Sequence, residues 1–304
     1  MIGPTRTSLR ARLLRQMIAR GKNTAPIADT IAAAAAAEVN GRPDPTPSRR
    51  IVRGLDVTRT VVADTVVWVL RPRRTRPRAA LLYLHGGGYI EGSSMGTWML
   101  AARFARRTQV EVWVPAYRLA PRQTADTTVP AITAVYRHLT EQWPAGQVTV
   151  VGDSAGGGLA LAATQHALAT GLDSPGLLGL FAPWIDVTMT GPGELDSQND
   201  PMLDRNRLIE SGRAYAGTLP AEDPRVSPLR GAMTGLPSTW IITGTDDILV
   251  HQSRRLRDAL DAARVPVHYL EDPGMIHVHV MLPVPEARTS LARFEHAIRA
   301  THHS

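Results

Sequence analysis

The stretch from Val148 to Leu168 limits the possible folds of this chain more than any other. Its apolar residues predict a buried strand, the pentapeptide Gly152–Gly156 follows, and a run of small residues predicts a helix that begins at once. In this strand–turn–helix setting, the pattern Gly-x-Ser-x-Gly makes a serine hydroxyl project, and flanking glycines let strand and helix approach closely. The N-terminus of the helix adds positive potential beside that hydroxyl. The sequence therefore predicts that Ser154 is a nucleophile.

From Arg78 onward, short apolar runs alternate with stretches of helical pattern. The runs AALLYLH, VEVWVPAY, QVTVVG, GLLGLFAPW, STWIITG and VPVHYL are typical of strands that are buried on both faces. Such alternation predicts a parallel sheet that is covered by helices. The expected helices lie at Gly96–Arg107, Val129–Gln142, Ala155–Thr170, His251–Ala263 and Pro285–Ala300.

The N-terminal part of the chain has a different pattern. Residues 1–45 predict two helices, Thr7–Arg20 and Ile27–Val39, which are followed by the start of a proline-rich linker. Residues 46–304 are predicted to form the sheet domain, which opens with two alternating strands within Ile51–Pro72.

One interval inside the sheet domain breaks the alternation. Residues at about 187–236 contain turns, prolines and one helical segment near Leu203–Ala216. We expect this insertion to lie over the carboxyl edge of the sheet, where open α/β sheets bind their ligands.

Composition and charge exclude several classes of protein. The net charge is +7, but the basic residues are spread along the chain. Only Leu70–Arg78 is densely basic, no nucleic-acid-binding motif accompanies it, and we expect no nucleic-acid partner. No apolar run reaches the ~18–20 residues that cross a bilayer, so we expect no stable membrane insertion. The chain has no cysteine, which excludes disulfides and thiolate metal sites and fits a cytoplasmic protein.

A serine nucleophile needs a base that takes its proton and an acid that orients the base. In hydrolases of this strand–turn–helix type, the acid follows the serine and the histidine comes last. Three aspartates follow suitable strands: Asp186, and the neighbours Asp246 and Asp247, whose side chains should point apart. The loop after the next strand carries His277, the predicted base. His279 lies two residues further on, but no carboxylate spacing supports a metal site, and we expect none.

Three successive glycines follow a predicted strand within LYLHGGGYIEG. Such a loop exposes backbone N–H groups, which are small, preorganised donors for the oxyanion of an acyl-transfer reaction. We expect Gly86, Gly87 and Ala155 to supply these N–H groups. Gly88 is expected to let the loop turn, and His85 to hold the loop by hydrogen bonding.

Five short motifs occur in a fixed order along the chain. They are HGGG at His85–Gly88, YRLAP at Tyr117–Pro121, GDSAGG at Gly152–Gly157, DPRVSPL at Asp223–Leu229 and GMIH at Gly274–His277. In this order they resemble the hormone-sensitive-lipase-like branch of the α/β-hydrolases, also called α/β-hydrolase fold-3 or bacterial family IV esterases. The similarity extends from about Ala79 to the C-terminus. Arg122 and His251-Gln252 depart from residues that are common in the family.

The resemblance implies an α/β-hydrolase fold: an eight-stranded, mostly parallel sheet flanked by helices, with a cap built from the N-terminal helices and the insertion. It implies hydrolysis of short- to medium-chain acyl esters without a cofactor or a metal. In relatives the acid stands directly before an apolar or proline residue and a leucine, which Asp247 matches and Asp246 misses by one residue. Relatives with the GDSAGG motif do not use the position of Asp186. The resemblance thus implies a triad of Ser154, Asp247 and His277.

The leading hypothesis is a serine carboxylesterase that acts on a small-molecule ester through an acyl-enzyme. An amidase, a carbamate hydrolase or a lactonase would use the same triad, whereas a non-catalytic ligand receptor of this fold typically lacks the base. Relatives often dimerise through the last strand and helix, so a homodimer is a further hypothesis. We expect residues up to about Gly41 to form part of the roof of the substrate pocket. Candidate lining residues are Trp98, Trp184, Met202 and Tyr215.

Overall fold

The part of the chain that the structure describes forms one sheet of eight strands. This computed structural model describes residues 7–21, 26–39, 46–194 and 200–301. The strands are β1 (Leu55–Val62), β2 (Thr65–Pro72), β3 (Ala80–Leu84), β4 (Glu111–Ala116), β5 (Val148–Asp153), β6 (Leu177–Phe181), β7 (Thr239–Gly244) and β8 (Val267–Asp272). Their order across the sheet is β1-β2-β4-β3-β5-β6-β7-β8. β1 and β2 form an antiparallel hairpin, β2 is antiparallel to β4, and the other neighbours are parallel, which confirms the predicted fold class.

Eight α-helices accompany the sheet within the described residues. They are α1 (Leu9–Arg20), α2 (Ile27–Val39), α3 (Met95–Thr108), α4 (Ala125–Thr140), α5 (Ala155–Ala169), α6 (Arg205–Ala216), α7 (Val250–Ala262) and α8 (Pro285–Thr301). The predicted spans agree to within two residues except at α4, which begins at Ala125 rather than Val129 and continues through Pro130. In the same part of the chain, no helix has both the length and the apolar character that crossing a bilayer requires.

Apolar side chains on the two faces of the sheet form two separate core layers. On one face, Leu82 and Val150 pack with residues of α4, α5 and α7. On the other face, their neighbours Tyr83 and Val151 pack with residues of α3 and α8. Successive side chains of a strand point to opposite faces, so a strand that is covered on both sides needs apolar residues at nearly every position. This is why the central strands are continuous apolar runs in the sequence.

The two N-terminal helices lie against different partners. In α1, Ala11 packs against Met275 in the loop after β8, and Arg15 forms an ion pair with Asp246 at 3.1 Å in the loop after β7. Helix α2 packs against α6 of the insertion. Residues 41–45 of the predicted linker lie outside the described residues. The N-terminal helices therefore contact both the loops at the carboxyl edge of the sheet and the insertion.

The insertion between β6 and β7 carries α6. The side chain of Asp204 accepts a hydrogen bond from the N–H of Arg207 at 3.0 Å, which caps the helix and sets its start at Arg205. Met202, Leu203 and Leu208 line a cavity at the carboxyl edge of the sheet. The described part of the insertion thus contributes side chains to the cavity at this edge.

Candidate active site

The turn between β5 and α5 holds Ser154 in a strained backbone conformation. Its φ of 53° and ψ of −124° lie in a region that residues with a side chain rarely occupy. Glycines make the turn possible: a Cβ atom on Gly152 would lie 2.1 Å from the carbonyl oxygen of Gly156, and one on Gly156 would lie 2.2 Å from that of Leu84. Because of this tight turn, the serine side chain lines the cavity at the end of β5.

Ser154, His277 and Asp247 form a chain of hydrogen bonds. Nε2 of His277 lies 2.9 Å from Oγ of Ser154, and Nδ1 of His277 lies 3.0 Å from Oδ2 of Asp247. All three side chains are buried. An ionised carboxylate can only accept, so the imidazole proton lies on Nδ1 and Nε2 is free to accept the serine proton. The structure thus brings together three residues that are far apart in the sequence, in the order that the sequence predicts.

The other two candidate acids have different partners. Asp246 pairs with Arg15 at 3.1 Å, and Asp186 pairs with Arg255 at 3.3 Å. Among the described residues, neither aspartate forms a hydrogen bond with His277. Asp246 and its neighbour Asp247 follow β7 in the same loop, but their carboxylates contact different partners, Arg15 and His277.

His279 also has partners of its own. Its Nε2 lies 2.7 Å from Oδ2 of Asp272, the last residue of β8, and the same oxygen accepts a hydrogen bond from Ser290 of α8 at 2.5 Å. These contacts fix the loop between β8 and α8, which also carries His277. Within the described residues, no group of three or more potential metal ligands occurs.

Three carboxylates influence the protonation of His277. Burial by itself lowers the pKa of the imidazole. The charge and hydrogen bond of Asp247 outweigh burial, and the charges of Asp200 and Asp153 act in the same direction, so the pKa of His277 is raised above its ordinary value. The imidazolium that forms when the serine loses its proton is thereby stabilised.

His85 holds the loop that follows β3. Its side chain is buried, and its Nδ1 lies 2.7 Å from the carbonyl oxygen of Gly86. The imidazole stacks on the ring of Tyr117, with 4.3 Å between the ring centroids. The hydroxyl of Tyr117 donates to the carbonyl oxygen of His85 at 2.6 Å. These contacts are those of the supporting residue that the sequence predicts.

Gly86 has a different role from the predicted one. Its N–H donates to Oδ2 of Asp153 at 3.1 Å, and the other oxygen of that carboxylate accepts from the hydroxyl of Tyr83 at 2.8 Å. The amide therefore ties the loop to the nucleophile turn and is already used. A Cβ atom on Gly86 would lie 2.4 Å from the same carboxylate, which explains why a glycine stands there. The expectation that Gly86 donates to an oxyanion is thus corrected.

Asp153 is the acceptor that occupies the amide of Gly86, and sequence reasoning did not assign a role to it. It is buried, and burial raises the pKa of its carboxyl to about 6, although the hydrogen bond from Tyr83 and the charge of His277 act in the opposite direction. Its position directly before Ser154 within Gly-x-Ser-x-Gly was the available signal. A carboxylate at that point of the turn reaches both the adjacent strand β3, through Tyr83, and the loop that follows it, through Gly86.

Three amides remain available at the site. The N–H groups of Gly87, Gly88 and Ala155 have no hydrogen-bond acceptor among the described residues. Gly87 and Gly88 line the cavity, and their φ angles of 115° and 59° suit glycine. Ala155 is the first residue of α5, so its N–H lies at the positive end of the helix. The amide of Gly88 is thus as available as those of Gly87 and Ala155, which the sequence predicts to be donors.

A cavity of about 270 Å³ opens in front of Ser154 and His277. Its lining is largely apolar and combines one residue of α2 with residues of the insertion and the loops. The apolar lining residues are Ile27, Ile90, Met202, Leu203, Leu208, Val278 and Met281. Of the four candidate lining residues, Met202 contributes to the cavity, whereas Trp98, Trp184 and Tyr215 are buried in the core.

Comparison with known proteins identifies the family. Residues 81–281 match the model of a family with the α/β-hydrolase fold. The chain belongs to this family. An acetyl-hydrolase of Streptomyces hygroscopicus is 37% identical to it over 76% of this chain and 78% of that protein. An esterase of Acinetobacter venetianus is 32% identical over 70% of this chain and 72% of that protein.

A solved structure agrees over nearly the whole chain. The crystal structure of a hormone-sensitive lipase from a metagenome library has 27% sequence identity and a TM-score of 0.84, and it covers 97% of this chain and 99% of that one. Within the α/β-hydrolases, the chain is therefore a member of the hormone-sensitive-lipase-like esterases, and it is a carboxylic ester hydrolase.

Proposed function

We propose that this α/β-hydrolase is a serine carboxylesterase that cleaves esters of short- to medium-chain acids through an acyl-enzyme. The observation that carries the proposal is the unbroken chain of hydrogen bonds from Ser154 through His277 to Asp247. A hydroxyl becomes an effective nucleophile only when a base takes its proton as it attacks. Here the base already contacts the hydroxyl, and the acid already orients the base.

In the first half of the proposed reaction, Oγ of Ser154 attacks the ester carbonyl carbon, and its proton passes to Nε2 of His277. Asp247 stabilises the imidazolium without taking its proton. The carbonyl oxygen becomes an oxyanion, to which the N–H groups of Gly87, Gly88 and Ala155 donate. The bond between the acyl carbon and the alcohol oxygen then breaks, and His277 gives its proton to the departing alcohol.

In the second half, water replaces the alcohol. His277 takes a proton from the water as the water oxygen attacks the acyl-enzyme carbonyl, and the same three amides again stabilise the oxyanion. The bond to Oγ breaks, the proton returns from His277 to the serine, and a carboxylic acid leaves. Each group ends in its starting protonation state.

The size and lining of the cavity support the choice of acyl chain. A volume of about 270 Å³ with mainly apolar walls suits a short alkyl chain better than a long one. The relative from Streptomyces hygroscopicus is named an acetyl-hydrolase, which agrees with a short acyl group. In this proposal α2 and the insertion act as the cap that closes the acyl site, because Ile27 and Leu208 come from these two segments.

The proposal is tested by the hydrolysis of p-nitrophenyl esters from acetate to octanoate, with amide and lactone analogues run in parallel. We expect the esters to be the best substrates and a serine-reactive phosphonate to stop the reaction. Ser154→Ala should reduce kcat by about 10⁶-fold, by the precedent of serine proteases. Ser174→Ala, which removes a hydroxyl from a surface loop, is the matched control and should retain full activity. Undiminished turnover by purified Ser154→Ala, or faster cleavage of the amides or lactones, would contradict the proposal.

A further inference from the structure

Asp200 joins two parts of the site that belong to different segments of the chain. It lies in the insertion, and its side chain is buried. Oδ1 accepts hydrogen bonds from the N–H groups of Met202 at 2.7 Å and Leu203 at 2.9 Å. Oδ2 accepts from the N–H of Ile248 at 2.9 Å. One carboxylate thus connects the insertion to the loop after β7.

Both ends of this connection reach the site itself. Met202 and Leu203 line the cavity. Ile248 directly follows Asp247, whose carboxylate contacts the imidazole of His277 at 3.0 Å. A carboxylate that accepts several N–H groups is held in one position, because charge-assisted hydrogen bonds are strong and directional. Asp200 therefore fixes the backbone on which Asp247 stands.

The charge of Asp200 also reaches the base. The groups that face His277 are the carboxylates of Asp247, Asp200 and Asp153, and all three raise the pKa of the imidazole against the effect of burial. Burial raises the pKa of Asp200 itself, and the nearby charge of Asp247 adds to this, while His277 and the amides of Ile248 and Leu203 lower it. His277 and Asp200 are thus electrostatically coupled.

We propose that Asp200 is a positioning residue that locks the loop carrying Asp247 to the lining of the cavity, so that the Asp247–His277 hydrogen bond is formed before an ester binds. The inference rests on the proposed function, because it assigns Asp200 to the same reaction. Asp200 touches neither the ester nor the reacting atoms. It acts through Ile248 and Asp247, and its negative charge favours the imidazolium.

The test compares Asp200→Asn with the parent enzyme. Asparagine keeps the shape and one acceptor but loses the charge. We expect kcat for p-nitrophenyl butyrate to fall about tenfold with KM within about twofold, since a small displacement of a catalytic group is enough for such a loss. NMR of the ¹³C-labelled imidazole should show a lower pKa of His277 than in the parent, because a nearby negative charge has been removed.

Two further variants separate the contributions of charge and geometry. Asp200→Glu keeps the charge but moves it by one methylene, so it should retain the raised pKa of His277 while kcat still falls. It also keeps the proposal testable if the asparagine variant fails to fold. Asp223→Asn is the matched control, because Asp223 also lies in the insertion and accepts the N–H two residues ahead, that of Arg225, at 2.9 Å. It should leave both kcat and the titration of His277 unchanged.

The outcomes distinguish this inference from the proposed function. If Asp200→Asn has the kcat of the parent and an unchanged titration of His277, Asp200 is not a positioning residue. If the control lowers the pKa of His277 equally, the effect is not specific to Asp200 and the inference also fails. The NMR titration needs no turnover. A parent that hydrolyses no ester would therefore overturn the proposed function, while a shift in the titration would still support the coupling of Asp200 to His277.

Discussion

Two parts of the active site, which we call the floor and the wall, differ in how their side chains are held. The floor consists of the residues at the carboxyl ends of three strands: Ser154, Asp247 and His277. The wall consists of apolar residues of α2 and the insertion: Ile27, Met202, Leu203 and Leu208. Floor side chains are at most 8% exposed and hydrogen-bond to each other. Wall side chains are hydrocarbon or thioether groups without hydrogen-bond donors, and their exposure varies from 6% at Leu208 to 40% at Met202.

The difference shows how chemistry and selectivity are divided in this fold. Hydrogen bonds at the floor depend on distances of about 3 Å and on fixed directions, so small changes there should affect every substrate alike. Apolar packing at the wall has no preferred direction and tolerates changes of shape. We therefore expect floor variants to change turnover of all esters and wall variants to change the ratio between esters.

The largest expected effect lies at the floor and concerns Asp247. Asp247→Asn should lower kcat by about 10⁴-fold, because the amide can no longer hold the imidazole in the tautomer that accepts the serine proton. Asp246→Asn is the matched control, one residue away, and loses only an ion pair with Arg15. It should change kcat by less than about threefold, since half-exposed ion pairs contribute little. Steady-state kinetics on p-nitrophenyl acetate and hexanoate measure both variants.

Because acetate and hexanoate differ in chain length, this experiment also tests whether a floor variant affects all esters alike. Equal losses on acetate and hexanoate are expected for Asp247→Asn, since the acid does not contact the acyl chain. A loss that depends strongly on chain length would show that the floor also selects substrates. If Asp246→Asn were the slower enzyme, the assignment of the acid would be wrong by one residue.

The sequence was informative about the floor because the floor depends on backbone geometry. A strained turn needs glycines beside Ser154, and a parallel sheet brings the ends of successive strands to one edge. The order along the chain therefore predicted His277 and limited the acid to three aspartates, and the family resemblance selected Asp247 among them. At Gly86 the sequence alone was not sufficient. Three successive glycines look alike in a sequence, and which amide stays available depends on the buried carboxylate of Asp153.

The sequence was much less informative about the wall. Four large side chains were candidates for the lining, and only Met202 lines the cavity. Trp184 and Tyr215 instead pack with Tyr89, at 5.5 Å and 3.6 Å between ring centroids. Periodicity identifies the apolar face of a helix but not which neighbour covers it. The lining of a cavity between two helices and a loop therefore had to come from the structure.

A second, smaller effect concerns the buried carboxylate of Asp153, the residue directly before Ser154. Burial raises the pKa of Asp153 to about 6, so the folded protein binds a proton there more tightly than the unfolded chain does. The free energy of unfolding therefore falls as the pH rises through the interval from about 4 to about 6. Asp153→Asn removes this cost. It should raise the free energy of unfolding by about 2–3 kcal/mol at pH 8, and the gain should vanish near pH 4.

Urea denaturation of the parent and the variant across this pH range measures the effect. Asparagine can keep both contacts, because its oxygen accepts the N–H of Gly86 and the hydroxyl of Tyr83 can turn to accept from its amide. Asp261→Asn, at an exposed position of α7, is the control and should show no such pH-dependent gain. A variant that is less stable than the parent at pH 8 would mean that the hydrogen bonds of the charged form outweigh the cost of burying it.

The smallest expected effect lies at the wall. Ile27 is half-buried in α2 and lines the cavity. Ile27→Trp should fill part of the acyl site and lower kcat/KM for p-nitrophenyl hexanoate about tenfold relative to acetate, since each methylene in an apolar pocket contributes about 1–3 kcal/mol. For acetate we expect kcat/KM to stay within about twofold of the parent. Steady-state kinetics on the ester series provide the measurement.

Ala32→Trp is the control that decides what this result means. Ala32 is exposed on the same helix and does not line the cavity, so it receives the same indole without changing the acyl site. If both tryptophan variants shift the preference equally, the shift comes from α2 as a whole and not from the volume of the cavity. If Ile27→Trp lowers kcat equally for every ester, the wall acts on the floor and the division between the two fails. A shift in Ile27→Trp alone, with turnover of acetate retained, would mean that selectivity can be changed at the wall while the reaction at the floor stays intact.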